Sequence, residues 1–278
     1  MKRILLPTDF SDNAFKAITY ALRVFENMEC TFYLFHTYNP PVYEVEYLLL
    51  HPSDFGLGDE YLENSQTKLI ELQRSLEEQF KNPKHKFLIH TAFNSFLNEV
   101  LDTVENESID YVVMGTKGAT GAREILLGTN TVHVIKRVMR PVIAVPPNYE
   151  YEAPKEILFP TDYEIEYPKG KFEPLLEIAE QHRSRINVMH VSTGYELTKN
   201  QKEHQQSLKK LLGSTALFHD LPSDDVIHAI NTFHTQENIN LLVMVQNKHT
   251  FFERLFIEPV IKKIGFHITL PFMVIPHL

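Results

Sequence analysis

Four glycines, Gly115, Gly118, Gly121 and Gly128, fall inside fourteen consecutive residues of a chain that has 10 glycines in all, and such clustering asks for a backbone reason. Without a Cβ the main chain can approach a bulky anion closely, and the unpaired N–H groups at a helix start can bind its oxygens. The Thr129 hydroxyl joins those donors, Asn130 follows it, and Lys117 adds positive charge. Residue types and spacing therefore describe a pyrophosphate cradle. A second candidate is Asp9, in the run Pro7-Thr8-Asp9-Phe10-Ser11, where an acid follows the first apolar segment. It reads equally as a ligand contact and as a cap in a Thr-Asp-Phe-Ser turn. No Walker lysine motif, nucleophile elbow or framed carboxylate pair accompanies these residues, so any hydrolysis would be slow and would rely on Asp9, Mg²⁺ and the loop.

The glycine loop needs a strand to deliver it and a helix to receive it. Asp110 to Met114 reads as the strand and Thr131 to Met139 as the helix. Around them, short apolar runs alternate with helical periods. Ile4–Leu6, Thr31–Phe35, Phe87–Ile89 and Val142–Val145 are further strands, while Ala14, Ala17, Ile18, Ala21 and Leu22 follow the spacing of a helix with one buried face. Ser11 or Asp12 can cap that helix, Asn94 can cap another, and Asp59–Phe80 is a long third with Leu62, Leu69, Leu72 and Leu76 inward. Apolar strands that do not alternate, separated by helices, indicate a parallel sheet covered on both faces.

The chain then repeats itself. Lys2-Arg3-Ile4-Leu5-Leu6-Pro7-Thr8-Asp9-Phe10 returns as Lys155-Glu156-Ile157-Leu158-Phe159-Pro160-Thr161-Asp162-Tyr163. Tyr111-Val112-Val113-Met114 returns as Leu241-Leu242-Val243-Met244, and Pro141-Val142-Ile143-Ala144-Val145-Pro146 as Pro271-Phe272-Met273-Val274-Ile275-Pro276. Agreement at beginning, middle and end predicts two tandem domains, 1–147 and 154–278, joined through a polar, proline-bracketed linker. Strands are expected near 157–159, 186–191, 215–219, 241–245 and 272–275, with the first helix of the second domain starting late, near Pro174.

Gly115-x2-Gly118-x9-Gly128-Thr129 resembles, at every position, the ATP-loop pattern of the universal stress protein family, and the likeness extends over nearly the whole chain. That resemblance implies two Rossmann-like domains of the adenine nucleotide alpha hydrolase type, each a five-stranded parallel sheet in the order 3-2-1-4-5 with helices on both faces. The split between first and fourth strands would hold the ligand. Carried over residue by residue, the resemblance implies that Pro7, Thr8, Asp9, Thr37, Met114, Gly115, Lys117, Gly118, Gly128, Thr129 and Asn130 bind ATP, with Asp9 on the nucleoside and Thr37 on the base. In the second copy Val245, Lys248, Glu258 and Pro259 replace the glycine–threonine pattern with bulk, an acid and a residue lacking an N–H, so no family-type nucleotide site is expected there. The family also implies fifth strands that associate, here Val142–Val145 with Phe272–Ile275 as an intramolecular pseudo-dimer; a homodimer stays open.

Composition trims the alternatives. A net charge of −9 argues against nucleic-acid binding, and the absence of a long apolar run argues against membrane insertion and for a cytoplasmic protein. The lone Cys30 reads as a small buried residue and excludes an intrachain disulfide. The second half is histidine-rich but lacks HxxxH or HExxH spacing, which keeps open a scaffold or a small-ligand or metal-binding protein as the rival reading. His36 and His190 are expected to be structural, His204 and His249 exposed.

Overall fold

The structure, a computed structural model, describes residues 1–38, 56–116, 127–192, 194, 196–223, 225–246 and 269–276. The first half runs β1 (Lys2–Pro7), α1 (Asp12–Val24), β2 (Cys30–Thr37), α2 (Gly56–Gln79), β3 (His85–Ala92), α3 (Phe96–Asn106), β4 (Tyr111–Gly115), α4 (Thr129–Arg137) and β5 (Val142–Val145). The second repeats the sequence of elements: β6 (Glu156–Pro160), α5 (Lys169–His182), β7 (Arg185–Ser192), α6 (Lys199–Leu212), β8 (Ala216–Pro222), α7 (Val226–Gln236), β9 (Leu241–Val245) and β10 (Phe272–Ile275).

The ten strands among the described residues form one sheet, β3-β2-β1-β4-β5-β10-β9-β6-β7-β8. Each half has the expected 3-2-1-4-5 order, and the fifth strands, expected to associate, join the two sheets into one: β5 and β10 pair antiparallel with Phe272 opposite Ala144 and Val274 opposite Val142. Every other pairing is parallel. Alternate side chains of each buried strand supply one of two cores. Ile4 and Leu6 face α1 and α2, in a layer that continues through Leu175 of α5 and Leu208 of α6. Leu5 faces the opposite layer with Val100 of α3, Val134 of α4 and Ile230 of α7.

Local rules account for most boundaries. The Ser11 hydroxyl accepts from Ala14 N at 3.3 Å and caps α1, while Thr198 and Gln201 form a reciprocal capping box on α6. Three expectations fail. Helix α5 begins at Lys169, not near Pro174, because Pro174 falls in its first turns and lacks only the donor that would have met the Gly170 carbonyl. Ser95, not Asn94, is the N-cap of α3; the Asn94 amide instead donates to Glu99 at 2.9 Å. Strand β3 extends from His85 to Ala92, well beyond Phe87–Ile89, because parallel pairing with β2 carries its polar ends along from Cys30 to Thr37.

Candidate functional site

Strand order reverses between β1, which continues to β2, and β4, which continues to β5, and the chain opens a cavity of about 300 Å³ over their carboxyl ends. Its walls include Pro7, Thr8 and Asp9 from the end of β1, Thr37 from β2, Met114 and Gly115 from β4, and Gly128, Thr129 and Asn130 from the start of α4. The nine sequence-predicted residues inside the described part of the chain are thus brought together. Lys117 and Gly118, like Lys248, Glu258, Pro259 and His249, lie outside it.

The β1 end is built by a tight turn. Thr8 Oγ1 accepts from Phe10 N at 2.9 Å, and Asp9 Oδ1 accepts from Ser11 N at 3.0 Å and from the Ser11 hydroxyl at 2.5 Å. Phe10 pays for this with a left-handed φ of 62°. Asp9 is therefore not the helix cap itself; it orients Ser11, which is. The second half copies the device, with Tyr163 at φ 57°, its N–H donating to Thr161 Oγ1 at 3.0 Å, and Glu164 N donating to Asp162 at 3.1 Å.

Beyond β4, Gly128 N donates to Thr116 O at 2.7 Å, so residues 116 and 128 are clamped to each other, and Thr131 Oγ1 donates to Gly115 O at 2.9 Å. Thr129 and Asn130 are exposed in the first turn of α4, whose leading N–H groups have no intrahelical acceptor. That end carries the positive pole of the helix, which favours an anion.

Packing within the fold also requires glycine at 115. A Cβ there would lie 2.6 Å from Oδ1 and 2.8 Å from Cγ of Asn13, a buried side chain of α1 whose amide donates to Val145 O at 3.0 Å. Gly115 makes room for Asn13, whatever else approaches it. Gly128, at φ −59° and ψ 147°, holds dihedrals open to any residue. Sequence reasoning missed Asn13, because its partner is 132 residues away. It also passed over Ala14, Phe96 and Thr131 as cavity walls.

His36, taken as structural, both supports and lines the cavity. A carbonyl only accepts, so the His36 ring donates from Nδ1 to Thr8 O (2.8 Å), and its ring packs 4.7 Å from Phe10. His190 packs 5.2 Å from Tyr163 in the matching place, and its Nδ1 meets Asp220 at 3.0 Å. His204 is half-buried rather than exposed, donating to Tyr163 O at 2.8 Å. Among the described residues, no group of three His, Cys, Asp or Glu could hold a metal ion.

The sequence model described as the universal stress protein family matches residues 1–146. The chain belongs to the universal stress protein family. Universal stress protein MJ0577 of Methanocaldococcus jannaschii is 30% identical over 155 residues, spanning 52% of this chain and 94% of its own. Universal stress protein MJ0531 of the same organism is 27% identical over 146 residues, spanning 52% and 81%. A universal stress protein crystal structure from Archaeoglobus fulgidus aligns over 99% of this chain and 96% of its own, with a TM-score of 0.68 at 17% identity. That likeness shows the fold, and shows it across both halves of this universal stress protein. No helix among the described residues is long and apolar enough to cross a membrane.

Proposed function

We propose that this universal stress protein binds an adenine nucleotide, ATP foremost, in the cavity of a first domain spanning 1–147, while the second domain, 154–278, serves structure or interaction. One observation carries the reading: Asp9, Thr37, Gly115 and the Gly128-Thr129 start of α4 meet around a single cavity at the point where strand order reverses. Its volume is at the lower end of the roughly 300–1,000 Å³ typical of small-molecule sites. In this reading Asp9 contacts the nucleoside and Thr37 the base. The backbone of Gly115 and Gly128, the Thr129 hydroxyl and Asn130 receive the phosphates, joined by Lys117 and Gly118. Val245 at the end of β9 puts a buried side chain where β4 ends in Gly115, which supports an unequal pair.

Gly128→Asp separates binding from folding. Aspartate suits an N-cap and the positive helix end, so the empty protein should be as stable as wild type or slightly more so. The same carboxylate repels phosphate. Saturating wild type with ATP at about 100 times its dissociation constant should stabilise it by about 2.7 kcal/mol, and titration calorimetry should show Gly128→Asp weakened at least tenfold. No binding to wild type would remove the proposal; undiminished binding to the variant would place the nucleotide elsewhere.

A further inference from the structure

The antiparallel β5–β10 junction creates two grooves related by the pseudo-symmetry of the halves, and only one of them is filled by the linker. The first lies where β5 ends and β10 begins. There the linker residues after Pro146 cross the start of β9: Tyr149 OH donates to Asn240 O at 3.3 Å, and the Asn240 amide donates to Glu152 at 2.7 Å. The rings of Tyr149 and Tyr151 pack 6.1 and 5.6 Å from Tyr20 on α1, and Glu150 pairs with Lys16 at 2.9 Å. Alternating tyrosines and acids thus close this groove, the rings against α1 and the acids against a lysine and an asparagine.

The second groove lies where β10 ends and β5 begins, with Asp110 at the position corresponding to Asn240 and α5 in place of α1. It is a cavity of about 270 Å³. Its floor is already paired: Glu177 accepts from Lys2 at 2.5 Å and from Tyr111 OH at 2.7 Å, and Asp110 accepts from Arg3 N at 2.8 Å. Its rim is not. The cationic ends of Arg140 and Lys171 have no ion-pair partner among the described residues, nor do the carboxylates of Glu173 beside them and Asp110 on the floor, and half-exposed Met139 offers apolar surface at the same edge. The lining as a whole is balanced, but its two cations without a counter-ion stand at the rim, while Asp110 is held on the floor by a backbone donor.

We propose that this second groove docks an extended peptide of alternating tyrosines and acidic residues presented by a partner protein, seated as the linker is in its twin. The aromatic ring fills the cavity over Pro141 and Pro174, and the acids meet Arg140 and Lys171. The linker is the precedent on the same molecule for that chemistry, and the second groove, which no described residue fills, supplies the two cations it needs.

The test uses the full chain and a fluorescently tagged octapeptide with the sequence of residues 147–154, Pro-Asn-Tyr-Glu-Tyr-Glu-Ala-Pro. Anisotropy at low salt should show saturable binding. Arg140→Glu with Lys171→Glu should weaken it at least tenfold, as should alanine in place of both peptide tyrosines. Both substituted side chains are at the rim, and an unchanged melting temperature verifies that the variant folds; Arg140→Gln with Lys171→Gln serves as a milder second variant. Absence of saturable binding to wild type overturns the proposal. So does undiminished binding to folded variants, which would mean that the peptide had displaced the linker from its own groove.

Discussion

Replacing Gly115 with alanine should destabilise the empty protein, with no ligand involved. The new methyl would lie 2.6 Å from Asn13 Oδ1, a distance that real Cβ atoms do not tolerate, so the amide must swing away from Val145 O. That carbonyl keeps a second donor, Thr116 N at 3.0 Å, and is not orphaned. The loss is that of the buried hydrogen bond from the Asn13 amide to Val145 O, at about 1–3 kcal/mol. Taking about 2 kcal/mol, and 2–4 °C per kcal/mol for a chain of about this size, the melting temperature should fall by roughly 4–8 °C. A double-mutant cycle read by thermal and urea unfolding isolates the cause. Asn13→Ala alone removes the obstacle together with the hydrogen bond, so Gly115→Ala added to it should cost almost nothing more, giving a coupling of about 2 kcal/mol. A neutral Gly115→Ala, or strictly additive losses, would refute the reasoning.

Other perturbations follow from the same contacts. Glu177→Ala strips the buried Tyr111 hydroxyl of its acceptor and Lys2 of its partner, and should lower stability by about 1–3 kcal/mol in urea unfolding; Tyr111→Phe should recover part of that loss in the double variant. Burial holds the imidazoles of His85, His182, His219 and His234 below the usual histidine range. The unfolded chain protonates near about pH 6.5 while these rings stay neutral in the fold, so stability is full above that pH and should decline as pH falls through it. His182→Gln, which can still donate to Val24 O, should flatten the melting-temperature profile. Burial likewise pushes the Cys30 thiol up to about 12, so a thiol reagent at neutral pH should modify it only after denaturation.

The strands were legible because burial on both faces leaves uninterrupted runs such as Ile4-Leu5-Leu6 and Val142–Val145, and because the repeat displayed the first, fourth and fifth strands twice. Helix faces were legible where one side is plainly apolar, as in α1. Boundaries set by several competing groups were not. Asn94, Ser95 and Glu99 together decide how α3 begins, and proline tolerance in the early turns of α5 depends on which carbonyl it faces. At the candidate site, spacing identified Gly115 and Gly128, since a loop between a strand and a helix is a local pattern. The reason for Gly115 was hidden, because Asn13 reaches it only once α1 packs between β4 and β5. His36 was undervalued for a similar reason: its hydrogen bond to Thr8 O joins two neighbouring strand ends, which no local window contains.

The register Phe272–Ala144, Met273–Ile143, Val274–Val142 has a further consequence for how the two copies can diverge. Two copies of a single-domain chain meeting along such a seam would come apart on dilution and would share every substitution. Tethered in one chain, the partners stay joined at any concentration, and each can change alone. One copy is free to carry Val245 where the other requires Gly115, with no penalty to the shared seam.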